Sequence, residues 1–231
     1  MRRGKKYQEA VKKIDRTKQY TLAEAADLVK KCAYASFNET VEVSVALTLK
    51  KSQSVRDTVV LPHQFMAQKK ILVFAKGDKA EEAKAAGAAY VGDNDLIEKI
   101  RGGWMDFDIA VATPDMMKDV GRLGPVLGRR GLMPNPKTHT VTNDIKEALE
   151  ELNKGRVEFR SDKTGVVHLS IGKVNMDAEA IAANAQVTID EILRKKPSDA
   201  KGDFLVSVTL SSTMGPGVHV DVKSFDASSA N

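Results

Sequence analysis

The hydrophobic pattern of this chain changes its period twice, and that change limits the available folds more than any single motif. From residue 69 to 128, continuous apolar runs (KKILVFAKG, AAYVG, FDIAVATPD) alternate with helical stretches (DKAEEAKAAGA, DNDLIEKIRGGW, MMKDVGRLGPVLG). Short runs that are apolar on both faces and bounded by Gly or Asp predict strands of a parallel sheet joined by crossover helices. On either side of this stretch the period is two. Val41, Val43, Val45, Leu47 and Leu49 alternate with Thr40, Glu42, Ser44, Ala46 and Thr48. Phe204, Val206, Val208 and Leu210 alternate with Ser207, Thr209 and Ser211, and Val218, Val220 and Val222 with His219, Asp221 and Lys223. That is the pattern of strands with one buried face.

RVEFRSDKTGVVHLSIGK is expected to form a hairpin turning at residues 162–165. Helices are expected at TLAEAADLVKKCA, where Thr21 and Glu24 make a capping box, and at DAEAIAANAQVTIDEILRKK, opened by Asp177 and followed by Pro197. The expected fold class is α/β and α+β in two domains. One is an α+β domain formed by both chain ends, residues 1–67 and 160–231; the other is an α/β domain inserted at 68–159. The outer pieces are short for independent cores, which favours insertion over three units in series.

Charge is unevenly placed. Residues 1–67 hold 13 Lys and Arg against 7 Asp and Glu, a balance of +6, whereas 68–159 hold 15 against 15 and 160–231 hold 8 against 9. The densest segment, MRRGKKYQEAVKKIDRTK, suits a polyanion such as nucleic acid, or serves as a solvated helix face. No apolar run approaches the roughly 18 residues of a membrane span, and the basic start has no apolar signal core behind it, so a cytoplasmic protein without a membrane partner is expected. Cys32 is alone, and His63, His139, His168 and His219 are scattered, so neither a disulfide nor a zinc site is expected. The first turn of the α/β stretch, AKGDKAEEAKAAG, lacks both the dinucleotide glycine triplet and the GxxxxGK[ST] phosphate loop, and no GxSxG elbow occurs. No cofactor and no catalysis are expected.

Two stretches remain. GPVLGRRGLMPNPKTHTVT, residues 124–142, reads as a rigid loop bearing Arg129, Arg130 and Lys137, able to hold phosphate or simply to connect. LSSTMGPGVHV, residues 210–220, has more polar residues than a turn of Gly215, Pro216 and Gly217 requires. Ser211, Ser212 and Thr213 supply hydroxyls, Gly215 permits close backbone approach, and Met214 offers a polarizable surface. Such a turn suits the ribose hydroxyls and base edges of an RNA minor groove, and an ordinary polar hairpin would use the same residues.

The motifs SFNETVEV (36–43), GWMDFDIAVATPDMM (103–117), RGLMPNPK (130–137), FRSDKTGVVH (159–168) and SSTMGPG (211–217), in that order, closely resemble the bacterial large-subunit ribosomal proteins of the L1 family. The resemblance implies a two-domain fold whose inserted domain is Rossmann-like and joined by a hinge of two strands. It implies binding to large-subunit rRNA at the lateral stalk, release of deacylated exit-site tRNA, and repression of translation through the protein's own operon mRNA. It also implies other ribosomal components as partners, a monomer when free, and a ribosome-associated location. The RNA contacts it implies are Phe37, Thr40 and Glu42, then Ser207, Thr213, Met214 and Gly215, with the Asp162, Lys163 and Thr164 turn nearby. Phe37 and Met214 would pack on sugar or base, the hydroxyls and the Gly215 amide would bond ribose and phosphate, and Glu42 would accept from an amine or a ribose hydroxyl. Phe37 taken alone also fits a core aromatic, and Glu42 a solvated strand residue.

This chain departs from the family pattern at two places. Gly128, Arg129, Arg130, Gly131 stand where Gly-Pro-Arg-Gly is usual, and Lys137, Thr138, His139, Thr140 where Lys-Thr-Gly-Thr is usual. Arg129 adds a cation, for which a stronger nonspecific contact with rRNA or tRNA is expected. Two rival classes remain: a nonspecific RNA-coating protein or chaperone, which would bind all RNAs alike, and a nucleotide-dependent enzyme, which would need the missing phosphate loop.

Overall fold

A computed structural model describes residues 4–50, 53–66, 69–197 and 203–226. In chain order the elements begin with α1 (Lys5–Lys12), α2 (Leu22–Cys32), β1 (Thr40–Leu47) and β2 (Arg56–Val60). There follow β3 (Ile71–Phe74), α3 (Asp78–Ala85), β4 (Tyr90–Gly92), α4 (Asn94–Arg101) and β5 (Ile109–Ala112), then α5 (Met117–Val120), α6 (Gly124–Leu127) and α7 (Ile145–Asn153). Last come β6 (Arg156–Arg160), β7 (Val166–Lys173), α8 (Ala178–Arg194), β8 (Leu205–Ser212), β9 (Val218–Val220) and α9 (Lys223–Asp226). Two compact units result, one of Met1–Phe65 with Glu158–Asn231 and the other of Met66–Val157.

In the first unit four antiparallel strands lie in the order β7-β1-β8-β9, and β2 and β6 form a separate two-stranded ribbon. The period-two residues Val41, Val43, Val45, Val208, Leu210, Val218 and Val220 are buried under α2 and α8, against Ala25, Ala26 and Val29 of the one and Ile181, Ala185, Ile189 and Ile192 of the other. Each such aliphatic side chain contributes about 1.5–3 kcal/mol by leaving water. The helix starts at Leu22 because Thr21 Oγ1 accepts from Glu24 N–H at 3.4 Å while Glu24 Oε2 accepts from Thr21 N–H at 3.1 Å, the reciprocal cap read from the sequence. Inside α8, buried Asn184 is fully used: its amide donates to Ile171 O and His63 O, both at 2.8 Å, and its oxygen accepts from His63 N–H at 3.0 Å.

Two strand expectations need correction. Val206 is 59% exposed, although the alternation places it on the buried face. Its register slips: Ala46 pairs with Ser207 and Leu47 with Leu205, so Val206 is left over in a bulge and turned outward. The hairpin expected at 162–165 is also not a simple one. β6 joins β2 and β7 joins β1, and only the isolated bridge of Ser161 with Val167 spans the turn between them.

The second unit is a parallel sheet in the order β4-β3-β5, with apolar clusters on both faces. Ile71, Val73 and Val111 face Ala83 of α3 and Ile145, Leu149 and Leu152 of α7, while Leu72, Phe74, Ala110 and Ala112 face Leu96, Ile97 and Ile100 of α4 and Met116, Val120 and Leu127 beyond β5. Burial on both sides is why these strands read as unbroken apolar runs. The tract at 124–142 is less loop-like than expected: α6 and a 3-10 turn at Gly128–Arg130 carry it, ending at Gly131 in the left-handed region at φ 71°.

Candidate nucleic-acid interface

The centre of the candidate surface is a residue that the motif reading passed over. Glu39, directly before β1, is 1% exposed. Its Oε1 accepts from the backbone N–H of Tyr34 at 3.1 Å and of Ala35 at 2.9 Å, and its Oε2 from Met214 N–H at 3.0 Å. Burial pushes the carboxyl's pKa up. The Ser212 hydroxyl beside it and the N–H groups of Ala35, Met214 and Tyr34 more than offset that push, so the carboxylate is held below its ordinary value. Ser212 Oγ is itself buried without a fully formed hydrogen bond, so it acts on the carboxylate as a nearby dipole. The carboxylate thus ties the loop after α2 to the turn between β8 and β9. Nothing in the pattern SFNETVEV distinguishes this glutamate from a surface one, because its partners are backbone groups, two on the loop just before it and one, Met214 N–H, from far along the chain.

Around this anchor the two segments interlock. Thr213 Oγ1 accepts from Thr40 N–H at 3.0 Å and lies 3.3 Å from Thr40 O, Thr213 N–H donates to Thr40 O at 3.0 Å, and Tyr34 OH donates to Met214 O at 2.8 Å. Lys173 Nζ donates to Thr40 Oγ1 at 2.7 Å. The Thr213 hydroxyl is therefore largely spent on the protein, leaving one lone pair to offer outward. What the anchor presents to solvent is apolar: Phe37 is 54% exposed and Met214 49%. The core reading of Phe37 is thereby excluded. A Cβ at Gly215 would lie 2.4 Å from Ser212 Oγ, so a side chain there requires that hydroxyl to rotate away.

Phe37, Thr40, Thr213, Met214 and Gly215 lie at one end of the sheet, and Asp162, Lys163 and Thr164 at the other. Pairing of Thr40 with Lys173 and of Ala46 with Val166 fixes those ends along β1 and β7. The second turn is built on Asp162, whose carboxylate accepts at 2.8 Å from Val166 N–H, Thr164 N–H and the Thr164 hydroxyl. Those bonds, the Val166 N–H foremost, hold its pKa below the ordinary carboxylate value. Lys163 is exposed, and with Lys50, Arg160 and Gln53 it lines a shallow polar depression. Glu42 and Ser207 sit between the ends on the sheet's uncovered face, in register with Ser211 and Ala46 respectively.

In the second unit Arg129 and Arg130 are exposed on their 3-10 turn. His139 has φ 50°, the one positive φ outside glycine among the described residues. Asn135 N–H donates to Thr140 Oγ1 at 2.8 Å, and the hydroxyls of Thr138 and Thr140 lie 3.1 Å apart, so the loop holds its shape around a strained residue. A side chain in this region costs about 1–2 kcal/mol, against about 0.5–1 kcal/mol of extra chain entropy that glycine loses. His139→Gly is therefore expected to stabilise the protein by roughly 0.5–1 kcal/mol and His139→Ala not to, as read by thermal unfolding of the two variants.

Among the described residues no helix is long and apolar enough to cross a membrane, and no group of three or more His, Cys, Asp and Glu is placed to hold a metal ion. The chain belongs to the ribosomal protein L1p/L10e family, whose model matches residues 29–216. It is 65% identical over 223 residues to the large ribosomal subunit protein uL1 of Treponema denticola, covering 96% of this chain and 99% of that one. It is 60% identical over 218 residues to the uL1 protein of Borrelia hermsii, covering 94% and 97%, and 60% identical over 224 residues to that of Treponema pallidum, covering 97% and 99%.

Proposed function

We propose that this chain is a structural constituent of the large ribosomal subunit, cytoplasmic and ribosome-associated, that acts by binding and not by catalysis. Its relatives carry the name of a large-subunit protein over nearly their whole length. Its ligand is large-subunit rRNA at the lateral stalk, held by the α+β unit, with the α/β unit a domain inserted between the two parts of the first. The observation that carries the RNA reading is the pair of exposed apolar side chains, Phe37 and Met214, mounted on backbone that the buried Glu39 carboxylate fixes. A solvent-facing Phe and Met on rigid backbone are suited to stacking on bases or riboses. Release of exit-site tRNA and repression of the protein's own operon mRNA follow from the family pattern, the latter requiring only that the mRNA present a similar structure to the same surface.

The test is a binding titration of the wild type and of Thr213→Ala/Met214→Ala against the stalk fragment of large-subunit rRNA and an unrelated hairpin at two salt concentrations. The wild type is expected to prefer the stalk by about 10³-fold, within the range of specific complexes. The double variant is expected to lose most of that preference and keep a weak, salt-sensitive background from Lys5, Lys6 and Lys12 on α1. Equal binding of both RNAs by the wild type would leave only a nonspecific RNA-binding protein.

A further inference from the structure

Sulfur is unevenly accessible in this chain. Cys32, the lone cysteine, is 1% exposed, its thiol donates to Ala10 O at 3.5 Å, and burial pushes its pKa up, so reactive thiolate is scarce there. Of the eight methionines, Met1 lies outside the described residues. Met116 is fully buried, and Met105, Met117 and Met133 are half-buried against the core of the second unit. Met176 is half-buried too, and its Sδ accepts from Lys173 N–H at 3.3 Å. Among the described methionines that leaves Met66, 37% exposed and part of the second unit, and Met214 at 49%.

Met214 is also held in place. Its N–H donates to Glu39 Oε2 at 3.0 Å and its O accepts from Tyr34 OH at 2.8 Å, so its backbone does not carry the thioether inward. An accessible thioether is open to two-electron oxidants, and the product is a polar sulfoxide where an apolar side chain stood.

On the RNA reading above, we propose that Met214 is a reversible oxidation site through which a peroxide weakens the protein's hold on RNA. The Sδ lone pair attacks one oxygen of hydrogen peroxide and the O–O bond breaks. The sulfur, oxidised by two electrons, keeps that oxygen; the oxygen's proton passes to the departing hydroxide, which leaves as water. Reversal takes two thiols of a sulfoxide reductase, which end as a disulfide and one water. Cys32, single and buried, does not supply them. The S=O dipole replaces the polarizable surface offered to a base or ribose, and bound RNA shields the sulfur in turn.

The test treats the full chain with dilute hydrogen peroxide and follows each methionine by peptide mass. Treated and untreated protein are then titrated with the stalk fragment of large-subunit rRNA and an unrelated hairpin. Met214 is expected to oxidise ahead of the half-buried methionines, and bound stalk RNA to slow it more than it slows Met66. Oxidation should weaken stalk binding by about twofold to tenfold, the worth of a sulfur contact with a ring. Reductases for both sulfoxide epimers should restore it. Met214→Leu, which takes up no oxygen, is read against its own untreated affinity, and that ratio should stay near one, whereas Met66→Leu should respond as wild type does. Thermal unfolding confirms that the treated proteins are folded. A slow Met214, a stalk affinity unchanged once Met214 is oxidised, or an equal loss in treated Met214→Leu would overturn the proposal and leave the rRNA reading standing. A wild type without preference for the stalk before treatment would overturn both.

Discussion

Glu39→Ala is expected to destabilise the first unit by roughly 2–5 kcal/mol, because three part-buried backbone donors lose a charged acceptor at once. Urea unfolding of wild type and variant gives the difference directly, and a change below about 1 kcal/mol would show that water replaces the carboxylate. Glu39→Gln separates stability from function. Its remaining oxygen can still accept from Tyr34 and Ala35, but its amide NH₂ then meets Met214 N–H, donor against donor. That variant should retain most of its stability and lose stalk affinity, since the turn carrying Met214 is the part released. The acid side offers a second readout. A folded-state pKa below the ordinary 4.5 means that the unfolded chain binds the proton more readily. The Glu39 contribution is then complete above about pH 4.5 and lost as pH falls through the lower folded value. Glu39→Gln should therefore be less steeply destabilised than wild type between neutral pH and pH 3.

Gly165→Ala is expected to cost about 2–4 kcal/mol. Gly165 has φ +83°, where a side chain costs about 1–2 kcal/mol, and its Cβ would lie 2.8 Å from Leu47 O, which backbone cannot move aside cheaply. Leu47 N–H donates to Gly165 O at 2.9 Å, so any shift that relieves the contact strains that bond too. Chemical denaturation reads the loss, and an unchanged midpoint would mean that the turn rebuilds itself. Since Asp162, Lys163 and Thr164 sit on the same turn, the variant should also bind the stalk RNA less tightly than its residual folding accounts for.

Much of this was legible beforehand, and the exceptions share one cause. Alternation along β1 and unbroken runs along β3 and β5 report burial on one face or two, and burial follows from local sequence. The Thr21–Glu24 cap is local as well. Val206 was misplaced because alternation does not reveal where pairing slips by a residue; the bulge is decided by how β8 meets β1. The partner of β6 was misjudged likewise, as nearness in sequence favoured β7 over the distant β2. Glu39 was missed for the same reason, its role being defined by Met214 far along the chain. For the surface itself, the family motifs marked the residues at both ends and Glu42 and Ser207 between them, whereas their lying on one face became visible only through strand register.

The strand order also bears on how the chain comes into being. β1 is made early, yet both of its neighbours, β7 and β8, follow the whole second unit, and β9 later still receives Tyr20 N–H at His219 O. During synthesis the stretch Met66–Val157 emerges complete while β1 still lacks any partner. The Glu39 carboxylate, likewise, waits for Met214. The candidate surface is therefore among the last parts of the fold to be completed, and a chain terminated before Met214 holds only the part of it at residues 37–42 and 162–164.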